Sequence, residues 1–318
     1  MKLLLALVLL VACSTRSRVR NPFFYRATKA GKTIYVLGTM HVGFTLGDFH
    51  PLVQEKLRRA ELVAVEANDE LMKKATLERF NRFQEFAKSE MLVPYPLLKE
   101  KVSPKAWKEM MFTLSKDEVK TILERRKVTR PVTELHPTLV EKIVLDLVNA
   151  GHFDAFSEDV KFRMGKRDLL WVYFDKFNKI DAEIVKVARA QKTPVISLDV
   201  LDQDLLKLLT DFERDSLTFI EIVFGDSEAF LRQYRALRAE YQRGSRSGIA
   251  HIVESAEFKQ GNDIVSRRNA AWAQTLDERR EKFIFAAVGA GHLIGEDNLL
   301  QRLRASGFEI EDALPVSP

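Results

Sequence analysis

Two stretches at opposite ends of the chain constrain its fold most. "YVLGTMHVG", Tyr35 to Gly43, and "FIFAAVGAGHLIG", Phe283 to Gly295, each carry a short apolar run into Gly-x-x-His and a further glycine. An apolar run closed by glycine reads as a buried strand ending in a tight loop. After His41, "DFHPLVQEKLRRA" puts Pro51 in the first turn of a helix with Leu52, Val53, Leu57 and Ala60 along one side. "ELVAVEAND" then reads as a strand ending at Glu66. After His292, residues 297–305 read as a helix, Ser306-Gly307 as its stop and 308–310 as a strand. Two related strand–GxxH loop–helix–strand units imply an α/β fold, a central sheet flanked by helices. In such sheets, sites form beyond the C-terminal strand ends. His41 and His292 can therefore meet although they are far apart in the chain.

The rest of the chain fits around these units. "FFYRATKAGKTIYVLG" reads as two strands joined by a Lys29-Ala30-Gly31-Lys32 turn. Residues 70–130 read as helical throughout, an insertion or lid. Ser103-Pro104 supplies one helix start, and Ser115 with Glu118 forms a capping-box pattern before Val119, Ile122 and Leu123. "DAEIVKVARAQKTPVISLD" gives a helix on Ala182, Ile184, Val185 and Ala188, a turn at Lys192-Thr193, a strand over 194–198 and a closing carboxylate, Asp199. "SEAFLRQYRALRAEYQ" is a further helix, and "RGSRSG", Arg243 to Gly248, carries the strongest loop composition. Asn262 can cap "DIVSRRNAAWAQTLDERR", whose Val265, Trp272 and Leu276 share a face with Arg268 and Asn269. An Arg-Asn pair on the apolar side of a helix requires polar partners to receive it.

The N-terminus bears on location. "MKLLLALVLLVAC" has one Lys, an apolar run from Leu3 to Ala12, and then Cys13, the only cysteine in the chain. The run falls short of the roughly 20 residues a spanning helix needs and fits a secretory signal core. Leu10-Val11-Ala12-Cys13 resembles the bacterial lipobox, in which the cysteine is lipidated and becomes the mature first residue. Ser14 resembles outer-membrane sorting. The expected organisation is a signal peptide over 1–12, lipidated Cys13 and a tether over 13–22, a domain over 23–312 and a tail over 313–318. The implied partner is a membrane in the cell envelope, reached through lipid. A lone cysteine leaves no intrachain disulfide, so the fold rests on its core. The 50 basic and 45 acidic residues are interleaved, giving +5 overall. Without a basic stripe carrying aromatics, nucleic acid is excluded as a partner.

The candidate chemistry lies at the four strand ends. Glycines such as Gly38, Gly289 and Gly291 let backbone turn sharply or approach a ligand, and an imidazole there can bind metal or move a proton. His41 and His292 with Glu66, and Asp199 as a further candidate, form a common set for a divalent cation such as Mn, Co or Zn. Such a cation acidifies bound water and polarises carbonyls. Arg268 could steady an oxyanion or substrate carboxylate, and Asn269 could orient a ligand. Elsewhere, His50 reads as a helix N-terminal residue, His136-Pro137 as a turn, and His152 and His251 as loop residues.

"YVLGTMHVG", "VAVEAN", "IDAEIVKVARAQKTPVISLD", "SRRNAAWA" and "AAVGAGHLIGEDNLLQRLRASGFEI" together resemble the ordered blocks of the TraB/GumN family, which includes the Tiki proteases. The resemblance spans roughly Phe23 to Ile310. It implies a fold related to the erythromycin-esterase and ChaN-like α/β proteins. It also implies a divalent-metal-dependent peptidase using His41, His292 and Glu66, with Arg268 and Asn269 matching an Arg-Asn block. The chain departs from relatives at Asp199, often Glu, and at Ile180, often Gly. Three functions follow as expectations. One is an envelope-anchored metal-dependent hydrolase acting on a peptide or other small substrate. The second is a lipoprotein that binds a ligand, haem or iron without catalysis. The third is a metal-free, esterase-like hydrolase with a histidine general base.

Overall fold

The structure, a computed structural model, describes residues 19–40, 44–89, 91–165, 179–202, 206, 210–253 and 262–314. In chain order, β1 (Phe24–Lys29), β2 (Lys32–Thr39), α1 (Pro51–Arg59) and β3 (Leu62–Val65) come first. Six helices follow: α2 (Asp69–Ser89), α3 (Leu98–Lys101), α4 (Pro104–Leu114), α5 (Asp117–Arg125), α6 (Pro137–Asn149) and α7 (Glu158–Gly165). Next are α8 (Lys179–Ala190), β4 (Val195–Ser197), α9 (Phe212–Phe224), α10 (Ser227–Arg243), α11 (Arg246–Val253) and α12 (Asn262–Glu278). The chain closes with β5 (Phe283–Gly289), α13 (Leu299–Ala305) and β6 (Glu309–Asp312). The fold is thus mixed α/β. It divides into two units, one of Met1–Asn68, Phe177–Asp199 and Ala236–Pro318, the other of Asp69–Lys176 and Val200–Arg235.

The first unit holds a six-stranded sheet in the order β4-β3-β5-β2-β1-β6. β4, β3, β5 and β2 run parallel, and β1 and β6 add antiparallel pairings at one side. Strands covered on both faces lose the apolar-polar alternation, and this is visible here: Leu62–Val65 and Ile284–Gly289 are buried without a break. β5 lies between β2 and β3, so the β2-to-β3 and β4-to-β5 connections each skip one strand, while β3 and β4 are neighbours. Glu309 and Glu311 are exposed on β6, where charge discourages further strand pairing. The β1–β2 turn places Ala30 at φ 46° and Gly31 at φ 81°, the left-handed pair that a two-residue hairpin turn demands. The register aligns Thr39 with Gly289, Val65 with Ala287 and Val65 with Ser197. The four parallel strands therefore end together, releasing Met40, Glu66, Asp199 and the 290–293 turn along one edge.

The second unit is helical. Its core joins Leu139, Val140, Ile143, Val144 and Leu147 of α6 to Phe219, Ile220, Val223 and Phe224 of α9 and to Met110 and Leu114 of α4. Helical structure therefore extends past 130, through α6, α7 and α9. Ser103 caps α4 as expected, its hydroxyl accepting from the Ala106 N–H at 3.2 Å. The capping box at Ser115 does not form. The Ser115 hydroxyl donates instead to the Phe112 carbonyl at 2.8 Å, and Lys116 stands at the α5 N-cap position. The loop expected over 243–248 shrinks to Gly244 and Ser245, because Arg246 already begins α11. His251 consequently lies in a helix. His50 and His136 both act as N-caps, each Nδ1 accepting from the N–H two residues on at 3.2 Å. Among the described residues no helix is long and apolar enough to cross a membrane.

Candidate functional site

Of the expected site residues, Glu66, Asp199, Arg268, Asn269 and His292 converge beyond the parallel strand ends. His41 and Cys13 lie outside the described residues. Arg268 is the hub. On α12 it projects its guanidinium between two strand ends, with Nε donating to Asp199 Oδ1 at 2.9 Å and Nη2 to Asp199 Oδ2 at 2.8 Å. Nη2 also donates to Glu66 Oε2 at 3.0 Å. A planar fork meeting a carboxylate in two places is the strong form of such a pair. The Trp272 indole N–H, one turn along α12, donates to Asp199 Oδ1 at 3.0 Å. The Arg268 guanidinium also lies over the Trp272 ring, 4.6 Å from its centre.

These contacts set the charges. Burial pushes the Asp199 carboxyl up from its ordinary value, outweighing the pull of Arg268 and Trp272 in the other direction. Burial alone would lower Arg268, but the hydrogen bonds and charges of Asp199 and Glu66 outweigh it and hold the guanidinium above its ordinary value. Arg268 is therefore always a cation here.

His292 is fixed with equal care. The Asn269 amide nitrogen donates to the Asp297 carbonyl at 3.0 Å, so its oxygen is the atom facing His292 Nδ1 at 2.8 Å. Nδ1 therefore carries a hydrogen, and in the neutral ring Nε2 presents its lone pair. Nε2 faces Arg268 Nη1 at 3.3 Å and lies 3.9 Å from Glu66 Oε1. The ring packs on Trp272 with centres 4.3 Å apart. Glu66 Oε1 in turn accepts the Gly289 N–H, which ties the carboxylate to the start of the histidine turn.

The glycines differ in what they do. A Cβ on Gly38 would meet Leu293 Cδ1 and Phe23 Cβ at 2.8 Å, so the chain needs glycine for close approach. Gly289 has an ordinary φ of −55°. A Cβ on Gly291 would meet nothing within 4 Å. The turn before His292 is one of 3-10 type, Ala290–Leu293, and needs no special backbone freedom at Gly291.

A cavity of about 300 Å³ opens onto the site. Glu66, Arg268 and His292 line it together with the apolar side chains of Met40, Leu237 and Ile249 and with Tyr241. Tyr241 is a site residue that sequence reasoning missed. Its hydroxyl donates to the Gly38 carbonyl at 2.7 Å. Trp272 was legible only as a core position, although its spacing of four from Arg268 puts both on one helix face.

The donor set can be tested against a divalent cation. Arg268 and Trp272 engage both Asp199 oxygens, and Arg268 and the Gly289 N–H engage both Glu66 oxygens, so a cation on either carboxylate would use its remaining lone pairs. His292 fits: a metal-binding imidazole usually donates its other N–H to an oxygen that fixes its tautomer, and Asn269 supplies that oxygen. Glu66 Oε1 is the neighbouring donor. Among the described residues no group of three or more His, Cys, Asp or Glu side chains is positioned to hold a metal.

No curated protein and no solved structure matches the chain. A family model described as "TraB/PrgY/gumN family" matches residues 23–143 and 165–312. Those spans include both Gly-x-x-His motifs, both strand-end carboxylates and the Arg268-Asn269 helix. With most of its length so matched, the chain belongs to the TraB/PrgY/gumN family.

Proposed function

We propose that the chain is an envelope-anchored, metal-dependent hydrolase, most simply a peptidase, held to the outer membrane through lipid on Cys13. The observation that carries this reading is the His292 ring. Its Nδ1 is tied to Asn269 and its Nε2 is turned toward Arg268 and Glu66 beside a cavity. His292 and Glu66, joined by His41, would hold Mn, Co or Zn. Bound there, the cation supplies acidified water and a Lewis acid for a substrate carbonyl. Kinship with the erythromycin-esterase and ChaN-like folds belongs to the same proposal.

The chain's own residues do the rest. Arg268 is a permanent cation beside the reacting position and offsets negative charge developing on the carbonyl oxygen. Asp199 and Trp272 hold that guanidinium in place, so Asp199 acts by positioning. Asn269 and the Trp272 ring keep His292 from turning. The apolar residues Leu237, Tyr241 and Ile249 lower the polarity beside the reacting groups, which strengthens these charge interactions.

The test is cleavage of a mixed fluorogenic peptide library by the detergent-solubilised full chain, before and after exhaustive chelation. Cleavage that stops on chelation, returns with Mn, Co or Zn, and is lost in His41→Ala and His292→Ala supports the reading. Cleavage indifferent to both substitutions sinks it. A second reading is favoured by Asn269, whose oxygen fixes the hydrogen on Nδ1 and leaves the Nε2 lone pair unprotonated in the neutral ring. In this reading His292 is a general base that takes a proton from water without a metal. Activity that survives chelation but not His292→Ala selects it.

A further inference from the structure

Three apolar residues that line the cavity with the charged groups come from two helices consecutive in the chain. Leu237 and Tyr241 stand one turn apart on α10 and so share a face. Ile249 comes from α11. Tyr241 is fully buried and its hydroxyl is committed to the Gly38 carbonyl. Burial pushes that hydroxyl far above its ordinary value, so it offers no charge. The ring is clamped by Phe23, stacked at 5.7 Å, and by Phe44 at 5.0 Å. These residues are therefore an apolar lining with the Tyr241 ring held in place, and they share the cavity with Arg268, Glu66 and His292.

We propose that Leu237, Tyr241 and Ile249 form a subsite for one aliphatic side chain of the substrate, seated beside the carbonyl or carboxylate that Arg268 and His292 receive. The proposal rests on the reading of this cavity as the reacting site and names the substrate class it takes. A volume of about 300 Å³ is at the small end of ligand cavities. It suits one side chain with its carbonyl rather than a long extended segment. A charged side chain against this lining would lose its water and gain no partner, which is costly. Each methylene added in such a subsite is worth about 10-fold to 200-fold in discrimination. The small volume, with the Tyr241 ring held among its lining, makes the subsite select by size as well as by polarity.

The test uses binding, so that it does not depend on turnover. N-acetyl-leucine, N-acetyl-alanine and N-acetyl-aspartate are titrated calorimetrically into the full chain. N-acetyl-leucine is expected to bind at least about 10-fold more tightly than N-acetyl-alanine, and N-acetyl-aspartate no more tightly than N-acetyl-alanine. In Leu237→Ser, checked for folding by circular dichroism, the leucine preference is expected to fall toward unity. Equal binding of leucine and alanine, aspartate bound as tightly as leucine, no binding of any of the three at millimolar concentration, or an unchanged preference in Leu237→Ser overturns the proposal. Should no peptide be cleaved while the leucine preference holds, the hydrolase reading fails and the subsite stands. Should peptides be cleaved without regard to the aliphatic residue, the subsite fails and the hydrolase reading stands.

Discussion

Replacing Arg268 with methionine removes the cation from between two carboxylates and keeps most of the side chain's bulk. Three charge-assisted hydrogen bonds disappear, two to Asp199 and one to Glu66. Breaking a buried ion pair by deleting one partner costs roughly 3–5 kcal/mol. Arg268 keeps 21% of its side chain exposed and Glu66 15%, so water can partly replace the lost partner. The lower figure, about 3 kcal/mol, is expected, equivalent to about 6–12 °C in Tm. The cost should also depend on pH. Asp199 is already pushed up in the folded chain, so the folded state binds that proton more tightly than the unfolded one. A carboxyl raised on folding contributes stability that is full below the ordinary value of 3.8 and lost as pH rises through the folded value. Without Arg268 the carboxyl rises further and this window widens upward. Arg268→Met should therefore cost most near neutrality and less as pH falls toward 4.5. The double variant Arg268→Met/Asp199→Asn, whose amide oxygen still accepts from Trp272, should recover more than half of the loss. Urea unfolding followed by circular dichroism at the two pH values measures all three. A loss under about 1 kcal/mol at neutral pH, or one that does not change with pH, would refute the reasoning.

Four further variants test other parts of the account. Asn269→Ala removes the oxygen that fixes His292 and should cut peptide cleavage about 10-fold to 100-fold. Nitrogen NMR of the imidazole should show Nδ1–H in the parent and a tautomer mixture in the variant. Gly38→Ala, whose Cβ would stand 2.8 Å from Leu293 and Phe23, should cost about 1–3 kcal/mol by thermal unfolding. Gly291→Ala, with nothing near, should stay within about 0.5 kcal/mol of the parent. Ala30→Asn relieves a left-handed φ of 46° in the hairpin turn and should stabilise by about 0.5–1 kcal/mol in the same measurement.

The parallel strands were legible because burial on both faces writes them as unbroken apolar runs, as in "LVAV" and "FIFAAVG". Helix starts at Pro51 and Ser103-Pro104 were legible because their signals are local. The strand order was not, because placing β5 between β2 and β3 is a decision of tertiary packing that no short window records. Ser115 shows the same limit at smaller scale: its hydroxyl could serve the helix before it or the one after, and sequence favours neither. In the site, the strand-end groups were legible as chemistry-bearing residues. The partner of each was not. A carboxylate at a strand end can meet a metal or a guanidinium, and Asp199 meets Arg268. Trp272 passed as core and Tyr241 as one more helix residue, because the bonds of the indole N–H to Asp199 and of the hydroxyl to Gly38 are made only after folding.

The most direct test of the central claim is metal analysis of the purified full chain beside His41→Ala and His292→Ala. The account predicts about one equivalent of Mn, Co or Zn in the parent, in line with a single first-row cation site, and its loss in both variants. Metal content unchanged by either substitution, or a parent that takes up none of the three ions, would contradict it.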